Sequence, residues 1–232
     1  MLAIEIVLDD DRINRSVTEN PWIIRAARSL AEALLLQTSV LLDIEITELN
    51  AGYRLRQKDG ITYIDIYLYD SLSSGAGYSS GIALQIEELL QSTEKFLISC
   101  NCENACQECL KHYRNYIYHP HLDRFSALQL INWAKDGEIV RPIIYSAQEN
   151  MLEPFIGILD DYGINVAFGE NAISLERKDT HQLTLDEKIL QLTVYPAMLV
   201  KPRQIDTIFI SDFEAKYSRA YAVDSIKEGL SM

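Results

Sequence analysis

Hydrophobic residues recur at helical spacing after Asn20-Pro21, a pair typical of a helix start with asparagine as the N-cap and proline in the first turn. The spacing runs through Ile23, Ala27, Leu30, Leu34, Thr38 and Leu41. Further apolar residues widen the stripe beyond one face: Leu35, Leu36, Val40 and Leu42. The pattern therefore predicts a helix that protein surrounds on most sides.

A β-sheet is predicted beside this helix from segments rich in apolar residues. The predicted strands are Ala3–Leu8 at an edge, Ile44–Leu49, Tyr53–Gln57 and Ile61–Tyr69. The sequence Lys58-Asp59-Gly60 joins the last two as a hairpin turn. The last strand alternates aliphatic residues with Tyr63, Asp65, Tyr67 and Tyr69, so one face is predicted to be core and the other aromatic and polar.

Two more helices are predicted in this half of the chain. One follows the glycine-rich loop Gly75-Ala76-Gly77 with Ser79 or Ser80 as its N-cap, and the other begins after Asp123 and ends at Gly137. We interpret residues 1–138 as one α+β domain with an antiparallel or mixed sheet.

The pattern changes at Glu138, and residues 139–232 are predicted to form a small α/β domain of about ninety residues. A strand at Ile139–Tyr145 precedes a helix from about Asn150 to Gly163. The remaining predicted elements are strands at Ile164–Phe168, Ile173–Arg177, Leu190–Val194 and Thr207–Ile210, and a last helix from Asp212.

The charge argues against a free-standing nucleic-acid binder. Lys and Arg number 21 against 34 Asp and Glu, a formal charge of −13, whereas phosphate binding needs a basic surface. The first residues lack the basic segment and apolar run of a signal peptide, and no apolar run is long enough to cross a membrane, so a soluble, cytoplasmic chain is expected.

All 4 cysteines lie in one short segment, at Cys100, Cys102, Cys106 and Cys109. Such crowding points to a metal rather than to a disulfide framework, because disulfides link distant loops. Four thiolates suit a structural zinc ion, and catalysis at that metal is not expected because no coordination position stays open. An iron–sulfur cluster, which also takes four cysteines, and four reduced thiols in a core are the alternatives.

Two other segments could bear on function. Gly75-Ala76-Gly77 lacks the third glycine of the dinucleotide fingerprint, where Ser80 stands, so a tight turn is the simpler interpretation. Residues 111–124 are basic and aromatic, with Lys111, Tyr113 and Arg114 as candidate nucleic-acid contacts. The alternative is an internal network that braces the metal loop.

The order of these motifs resembles the MrfA-like zinc-binding domain over roughly residues 20–136. The motifs are Ser29-Leu30-Ala31-Glu32-Ala33-Leu34-Leu35, Tyr67-Leu68-Tyr69-Asp70-Ser71 with Gly75-Ala76-Gly77-Tyr78, the four cysteines with Leu110, and Tyr113, Asn115, His119 and Leu122-Asp123-Arg124. This family forms an accessory domain of MrfA-type superfamily 2 DNA helicases and also occurs in DrmB, the partner of the DrmA helicase in DISARM antiphage defence.

The resemblance implies roles for particular residues. The four cysteines would be the zinc ligands, and Asp70, Gly75 and Gly77 would form the glycine-loop signature. Four downstream residues would brace the zinc loop or lie at an interface: Asn115, His119, Asp123 and Arg124. The sequence departs from the family at Ser73-Ser74-Gly75, where Pro-Gly-Gly is common.

These observations predict a non-catalytic zinc-binding accessory subunit of a superfamily 2 DNA helicase or translocase, in antiphage defence or DNA repair. Helicase motifs are absent from the sequence, so any ATPase would act in trans, and DNA would be reached through the complex. One alternative is a stand-alone zinc DNA-binding module. The other is a metal-dependent nuclease that uses carboxylates such as Asp65, Asp70 and Asp123.

Overall fold

The computed structural model describes residues 1–72, 75–170, 172–177 and 190–231, and divides the chain into two compact units. The first is Met1–Ile139 and the second is Val140–Met232. Both combine helices with a sheet, which confirms the predicted α+β class. No helix among the described residues is both long enough and apolar enough to cross a membrane.

The sheet of the first unit contains three antiparallel strands: β1 (Leu2–Leu8), β2 (Leu49–Lys58) and β3 (Ile61–Asp70). The central strand is β3, with β1 and β2 on either side. The β2–β3 hairpin turns at Asp59 and Gly60, both with positive φ, as the predicted turn requires. Opposite Ile66 lie Ile4 and Tyr53, so apolar residues of all three strands share a face.

The long helix α1 (Pro21–Leu41) packs against that face. Its N-cap is Asn20, whose side chain accepts a hydrogen bond from the Trp22 N–H, as predicted. Three further helices complete the unit: α2 (Tyr78–Ala83), α3 (Ile86–Ser99) and α4 (Arg124–Asp136). Because α3 and α4 pack against the remaining sides of α1, most of this helix is buried, as its wide apolar stripe predicted.

Three predictions for this unit were wrong. Residues 46–48 form a 3-10 helix instead of a strand, because the chain reverses after α1 through Asp43, whose φ is +50°. The single helix expected after the glycine loop is two helices, broken at Leu84 and Gln85. Its cap is neither Ser79 nor Ser80: the N-cap is Gly77 in the left-handed region.

The second unit contains a four-stranded sheet in the order β4 (Ile164–Phe168), β5 (Ile173–Arg177), β6 (Leu190–Tyr195) and β7 (Thr207–Ser211). The first two pairs are antiparallel, and β6 pairs with β7 in parallel. The helices are α5 (Tyr145–Leu152), α6 (Ile156–Asp161), α7 (Asp212–Tyr217) and α8 (Arg219–Ser231), with a 3-10 turn at Glu153–Phe155. A core that includes Phe155, Leu175 and Ile210 joins them.

The strand expected at Ile139–Tyr145 was wrong, since residues 139–144 form no strand and α5 begins at Tyr145. Pro142 lacks the N–H that a strand would donate. The helix expected from Asn150 begins at Tyr145 and is interrupted at Glu153-Pro154, although it ends before Gly163 as predicted. Four strand positions and the helix from Asp212 are confirmed.

Candidate metal centre

The four cysteine sulfurs lie in one cluster between the end of α3 and the 3-10 helix Tyr113–His121. Helix α3 ends at Ser99, and the extended backbone of Cys100 leads into the segment that carries the cysteines. We call this segment, residues 100–112, the metal loop. All four Sγ atoms lie within 4.8 Å of one another, with the Cys100–Cys106, Cys102–Cys109 and Cys106–Cys109 pairs at 3.5, 3.7 and 3.7 Å. A tetrahedron of thiolates about 2.3 Å from zinc has edges of about 3.8 Å, so the cluster fits that ion.

Backbone N–H groups of the metal loop donate hydrogen bonds to the sulfurs. The Cys106 N–H donates to Cys109 Sγ at 3.2 Å, and the backbone N–H of Cys102 is the main reason that the pKa of Cys100 is lowered to about 7. Burial is the main reason that the pKa of Cys102 is raised to about 12. Burial also raises the pKa of Cys109. Four crowded thiols do not all ionise on their own, so the arrangement suits a cation that supplies the missing positive charge.

Arg124 ties the loop to the helices. Its Nε donates to the Cys102 carbonyl at 2.9 Å, its Nη1 donates to the Leu97 carbonyl at 3.0 Å, and its backbone N–H donates to the Asn104 carbonyl at 2.8 Å. The guanidinium also lies 3.9 Å from the centre of the Phe125 ring. One buried side chain therefore joins the last turn of α3, the metal loop and the start of α4.

Asp123 is the N-cap of α4. Its Oδ1 accepts from the Phe125 N–H at 2.8 Å and from the Ser126 N–H at 3.4 Å, and its Oδ2 accepts from the Ser126 hydroxyl at 3.1 Å. The Asp123 N–H donates to the hydroxyl of Ser29 in α1 at 2.8 Å. This carboxylate is buried and used within the fold, which places it as a structural residue.

Asn115 and His119 brace the other end of the loop. The Asn115 Nδ2 donates to the Leu110 carbonyl at 2.8 Å, and its Oδ1 accepts from the His112 N–H at 3.0 Å. The His119 Nε2 lies 3.0 Å from that Oδ1 and 3.1 Å from the His112 carbonyl. Both are acceptors, so Nε2 carries the proton. The structure therefore brings these two residues together behind the metal loop.

The three candidate nucleic-acid contacts differ in exposure and in internal hydrogen bonding. The guanidinium of Arg114 is used internally: it donates to the carbonyls of Ile46 and Leu49 and, at 2.6 Å, to Asn50 Oδ1. Tyr113 has 69% of its surface exposed, and Lys111 is half-buried. Arg114 thus holds the 3-10 helix against the start of β2.

Asp70, Gly75 and Gly77 form a closed turn after β3. The Asp70 carboxylate accepts from the Gly77 N–H and the Ser79 N–H, both at 2.9 Å. Burial opposes ionisation of Asp70, but these N–H groups outweigh it and its pKa is lowered. Both glycines have positive φ, and a Cβ at Gly75 would lie 3.2 Å from Asp70 Oδ2. The aspartate therefore caps α2 from the preceding strand; Ser73 and Ser74 lie outside the described residues.

The carboxylates named for a nuclease are not brought together. Asp65 pairs with Arg54 and Arg56, with Arg56 Nε at 2.7 Å, and the hydrogen bond from Arg56 is the main reason that its pKa is lowered to about 2. The carboxylates of Asp70 and Asp123 accept the backbone N–H hydrogen bonds described above. Within the described ranges, the four cysteines are the one group of potential ligands that could hold a metal ion.

Sequence reasoning missed a side-chain hydrogen bond that links the metal loop to α1. His112 Nε2 lies 3.0 Å from Glu32 Oε2, and both side chains are largely buried. Glu32 lies in the middle of the apolar stripe of α1, where a charged residue needs a partner. The polar Glu32 within an apolar stripe was therefore a signal that the sequence offered. The sequence did not identify His112 as its partner.

Comparisons with known proteins support this site. The family model of the MrfA Zn-binding domain matches residues 30–110, from α1 to the end of the cysteine loop. The first unit carries an MrfA-like zinc-binding domain. The four clustered cysteines bind a structural zinc ion. Both the predicted family resemblance and the predicted cofactor are confirmed.

Two relatives are much longer than this chain. The Druantia protein DruE of Escherichia coli (strain UMEA 4076-1) is 33% identical over 132 residues, which cover 53% of this chain and 7% of DruE. A crystal structure of the DUF1998 helicase MrfA bound to DNA matches with a TM-score of 0.38 and 14% identity, over 51% of this chain and 15% of that chain. The chain thus spans a small part of either relative.

Proposed function

We propose that this chain is a non-catalytic, zinc-bearing accessory subunit of a superfamily 2 DNA helicase or translocase, in bacterial antiphage defence or DNA repair. The observation that carries the proposal is the closed metal site: four sulfurs at tetrahedral distances occupy every ligand position of a zinc ion. A metal held in this way stabilises a surface rather than activating water or substrate.

The family match supports the association with a helicase. The matched domain takes its name from MrfA, and MrfA is itself a helicase whose structure was solved bound to DNA. In this proposal ATP hydrolysis belongs to a partner chain, and DNA is engaged through the complex. The formal charge of −13 fits this division, because the acidic chain alone would bind DNA poorly.

The zinc site supports an exposed apolar surface on which the helicase contact can be placed. On the 3-10 helix next to the metal loop, Tyr113, Tyr116 and Ile117 have exposed fractions of 69%, 70% and 57%. Asn115 and Arg114 fix this helix to the loop and to β2. Loss of zinc would release the helix from the loop and disrupt the surface.

The test compares zinc content with helicase binding. The tagged chain is purified from its native host, its zinc is measured, and co-purifying proteins are identified and assayed for DNA-dependent ATPase activity. We expect one zinc per chain, a helicase partner that accounts for all ATPase activity, and loss of both zinc and partner in Cys106→Ser. Hydrolysis of ATP or DNA by the pure chain would refute the proposal.

Surface variants separate metal binding from partner binding. Tyr116→Ser with Ile117→Ser should retain zinc and lose the helicase. Ile205→Ser, which changes an 88% exposed side chain in the second unit, is the matched control and should retain both. If the double variant keeps the helicase, the contact lies elsewhere and this placement is wrong.

A further inference from the structure

The sheet of the second unit ends at an edge strand, β4, whose outer side has no hydrogen-bond partner among the described residues. At the hairpin end of β4, the Gly169 N–H donates to the Ala172 carbonyl. Hydrogen bonds alternate along an antiparallel pair, so every second residue of β4 directs its N–H and C=O groups away from β5. We call these outward groups the β4 edge, and they belong to Ile164, Val166 and Phe168.

The hairpin that carries the β4 edge is held in place by its own unit. The Tyr145 hydroxyl of α5 lies 2.7 Å from the Gly169 carbonyl and 3.3 Å from the Ala172 carbonyl. At the other end of the strand, Ile164 is buried in the core of the unit. The edge is therefore ordered before any partner binds, which lowers the entropy cost of binding.

The sequence of β4 lacks the features that prevent edge strands from pairing with another chain. Native proteins use charged side chains, proline, bulges or a covering element for this purpose. The strand, Ile-Asn-Val-Ala-Phe, contains neither a charge nor a proline, and it pairs with β5 residue for residue, without a bulge. At its open end, Phe168 has 36% of its surface exposed. The strand is thus suited to backbone pairing along its whole length.

The remaining sheet edges that the structure describes are protected. Strand β1 carries Glu5, and the Trp133 indole donates to its Val7 carbonyl at 2.8 Å. The charged residues of β2 are Arg54, Arg56 and Lys58. Helix α8 packs so closely on β7 that a Cβ on Gly229 would lie 2.7 Å from Ile208 Cδ1. Among the described strands, β4 is therefore the edge that is open to a further strand.

A second copy of β4 complements the first in antiparallel orientation. With a two-fold axis through Val166, Ile164 of one copy lies opposite Phe168 of the other, and each pair of outward residues can exchange two hydrogen bonds. Asn165 then lies opposite Ala167 of the other copy, so no like charges face each other. The pairing is self-complementary, as a two-fold interface requires.

We propose that this chain forms a symmetric dimer in which the β4 edges of two copies pair and join their sheets into one. The inference goes beyond the proposed function, since it concerns the second unit and two copies of the same chain. One strand pair buries less surface than a standard interface, and each copy carries a formal charge of −13. The dimer is therefore weak, with a Kd on the order of 100 µM.

The first experiment measures the mass of the full zinc-loaded chain by sedimentation equilibrium, up to about 500 µM protein, which is about five times the expected Kd. We expect a reversible monomer–dimer equilibrium. Raising the salt concentration from about 0.01 M to about 1 M shortens the Debye length from about 30 Å to about 3 Å. Dimerisation should strengthen over this range, because salt screens the repulsion between two acidic chains.

Two double variants test the register of the pairing. Asn165→Lys with Ala167→Lys places lysines of the two copies opposite each other, so the dimer should weaken about 2- to 30-fold. Asn165→Lys with Ala167→Glu places opposite charges there and should tighten the dimer by a similar factor. Both positions lie on the face of the sheet away from the core, so the fold should be retained, and circular dichroism checks this. Gln191→Lys with Tyr221→Lys adds two positive charges away from the β4 edge and is the control for net charge.

Three results would overturn the inference. One is a monomer at every protein and salt concentration. Another is a dimer whose Kd neither double variant at positions 165 and 167 changes more than the control does. The third is equal weakening by both of these double variants, which would exclude the antiparallel register about Val166. Helicase capture is a separate measurement, so failure of the proposed function leaves these results interpretable.

Discussion

Replacing Arg124 with leucine should destabilise the first unit and weaken its hold on zinc. The buried guanidinium satisfies the carbonyls of Cys102 and Leu97, at 2.9 and 3.0 Å. Leucine cannot donate, so two carbonyl oxygens lose their partners, each at a cost of about 1–3 kcal/mol. We therefore expect the free energy of unfolding to fall by about 2–6 kcal/mol.

Tryptophan fluorescence provides an assay confined to this unit, because both tryptophans of the chain, Trp22 and Trp133, lie in it. Trp22 is buried, and the Trp133 indole donates to the Val7 carbonyl at 2.8 Å. Unfolding in urea, followed by this signal, gives the stability. Competition with a zinc chelator gives the metal affinity, which should fall because the Cys102 segment of the loop is no longer held.

Two controls make the result specific. Arg124→Lys retains a cation that can reach one carbonyl, so it should lie between wild type and the leucine variant. Arg12→Leu removes a 72% exposed side chain with a surface ion pair and should leave the stability nearly unchanged. If Arg124→Leu unfolds within about 1 kcal/mol of wild type and releases zinc at the same chelator concentration, Arg124 does not brace the loop.

Three further predictions concern the metal, the glycine turn and pH. Removal of zinc by a chelator, or Cys106→Ser, should lower the midpoint of urea unfolding that the tryptophan signal reports. The second unit should stay folded. An unchanged midpoint would refute a structural metal. Gly75→Ala should cost about 1–2 kcal/mol, because φ is +64° and the new Cβ would lie 3.2 Å from Asp70, and urea unfolding checks this value. The lowered pKa of Asp65, about 2 against an ordinary 3.8, stabilises the fold above about pH 4 and this contribution is lost as pH falls towards 2; Asp65→Asn should remove that dependence from acid titrations, and an unchanged titration would refute it.

The elements that could be predicted are those with a local signal. Helix α1 follows from its apolar spacing and its Asn20-Pro21 start, and the β2–β3 hairpin follows from Asp59-Gly60. The segment 44–49 misled because its alternating apolar residues suit a strand, whereas the turn at Asp43 and the bond from Arg114 to the Ile46 carbonyl hold it as a 3-10 helix. Those contacts are tertiary and leave no local pattern.

The metal centre could likewise be predicted only where its signal is local in the sequence. Four cysteines within ten residues carry their chemistry in their spacing, so the zinc ligands could be named from the sequence. The roles of the basic segment could not, because they depend on where each cation finds an acceptor. Arg124 meets backbone carbonyls from α3 and the loop, and His112 meets Glu32 from α1, 80 residues away.

The short spacing of the zinc ligands also sets an order of events during folding. A loop of ten residues closes in about 10–100 ns, whereas β1 must wait for β3, more than fifty residues later, before it has a partner. Metal capture therefore needs none of the distant contacts of the unit. Once closed, the loop offers Arg124 its carbonyls in place and lowers the entropic barrier to docking α4. Zinc availability during synthesis should thus influence how fast this unit folds as well as how stable it becomes.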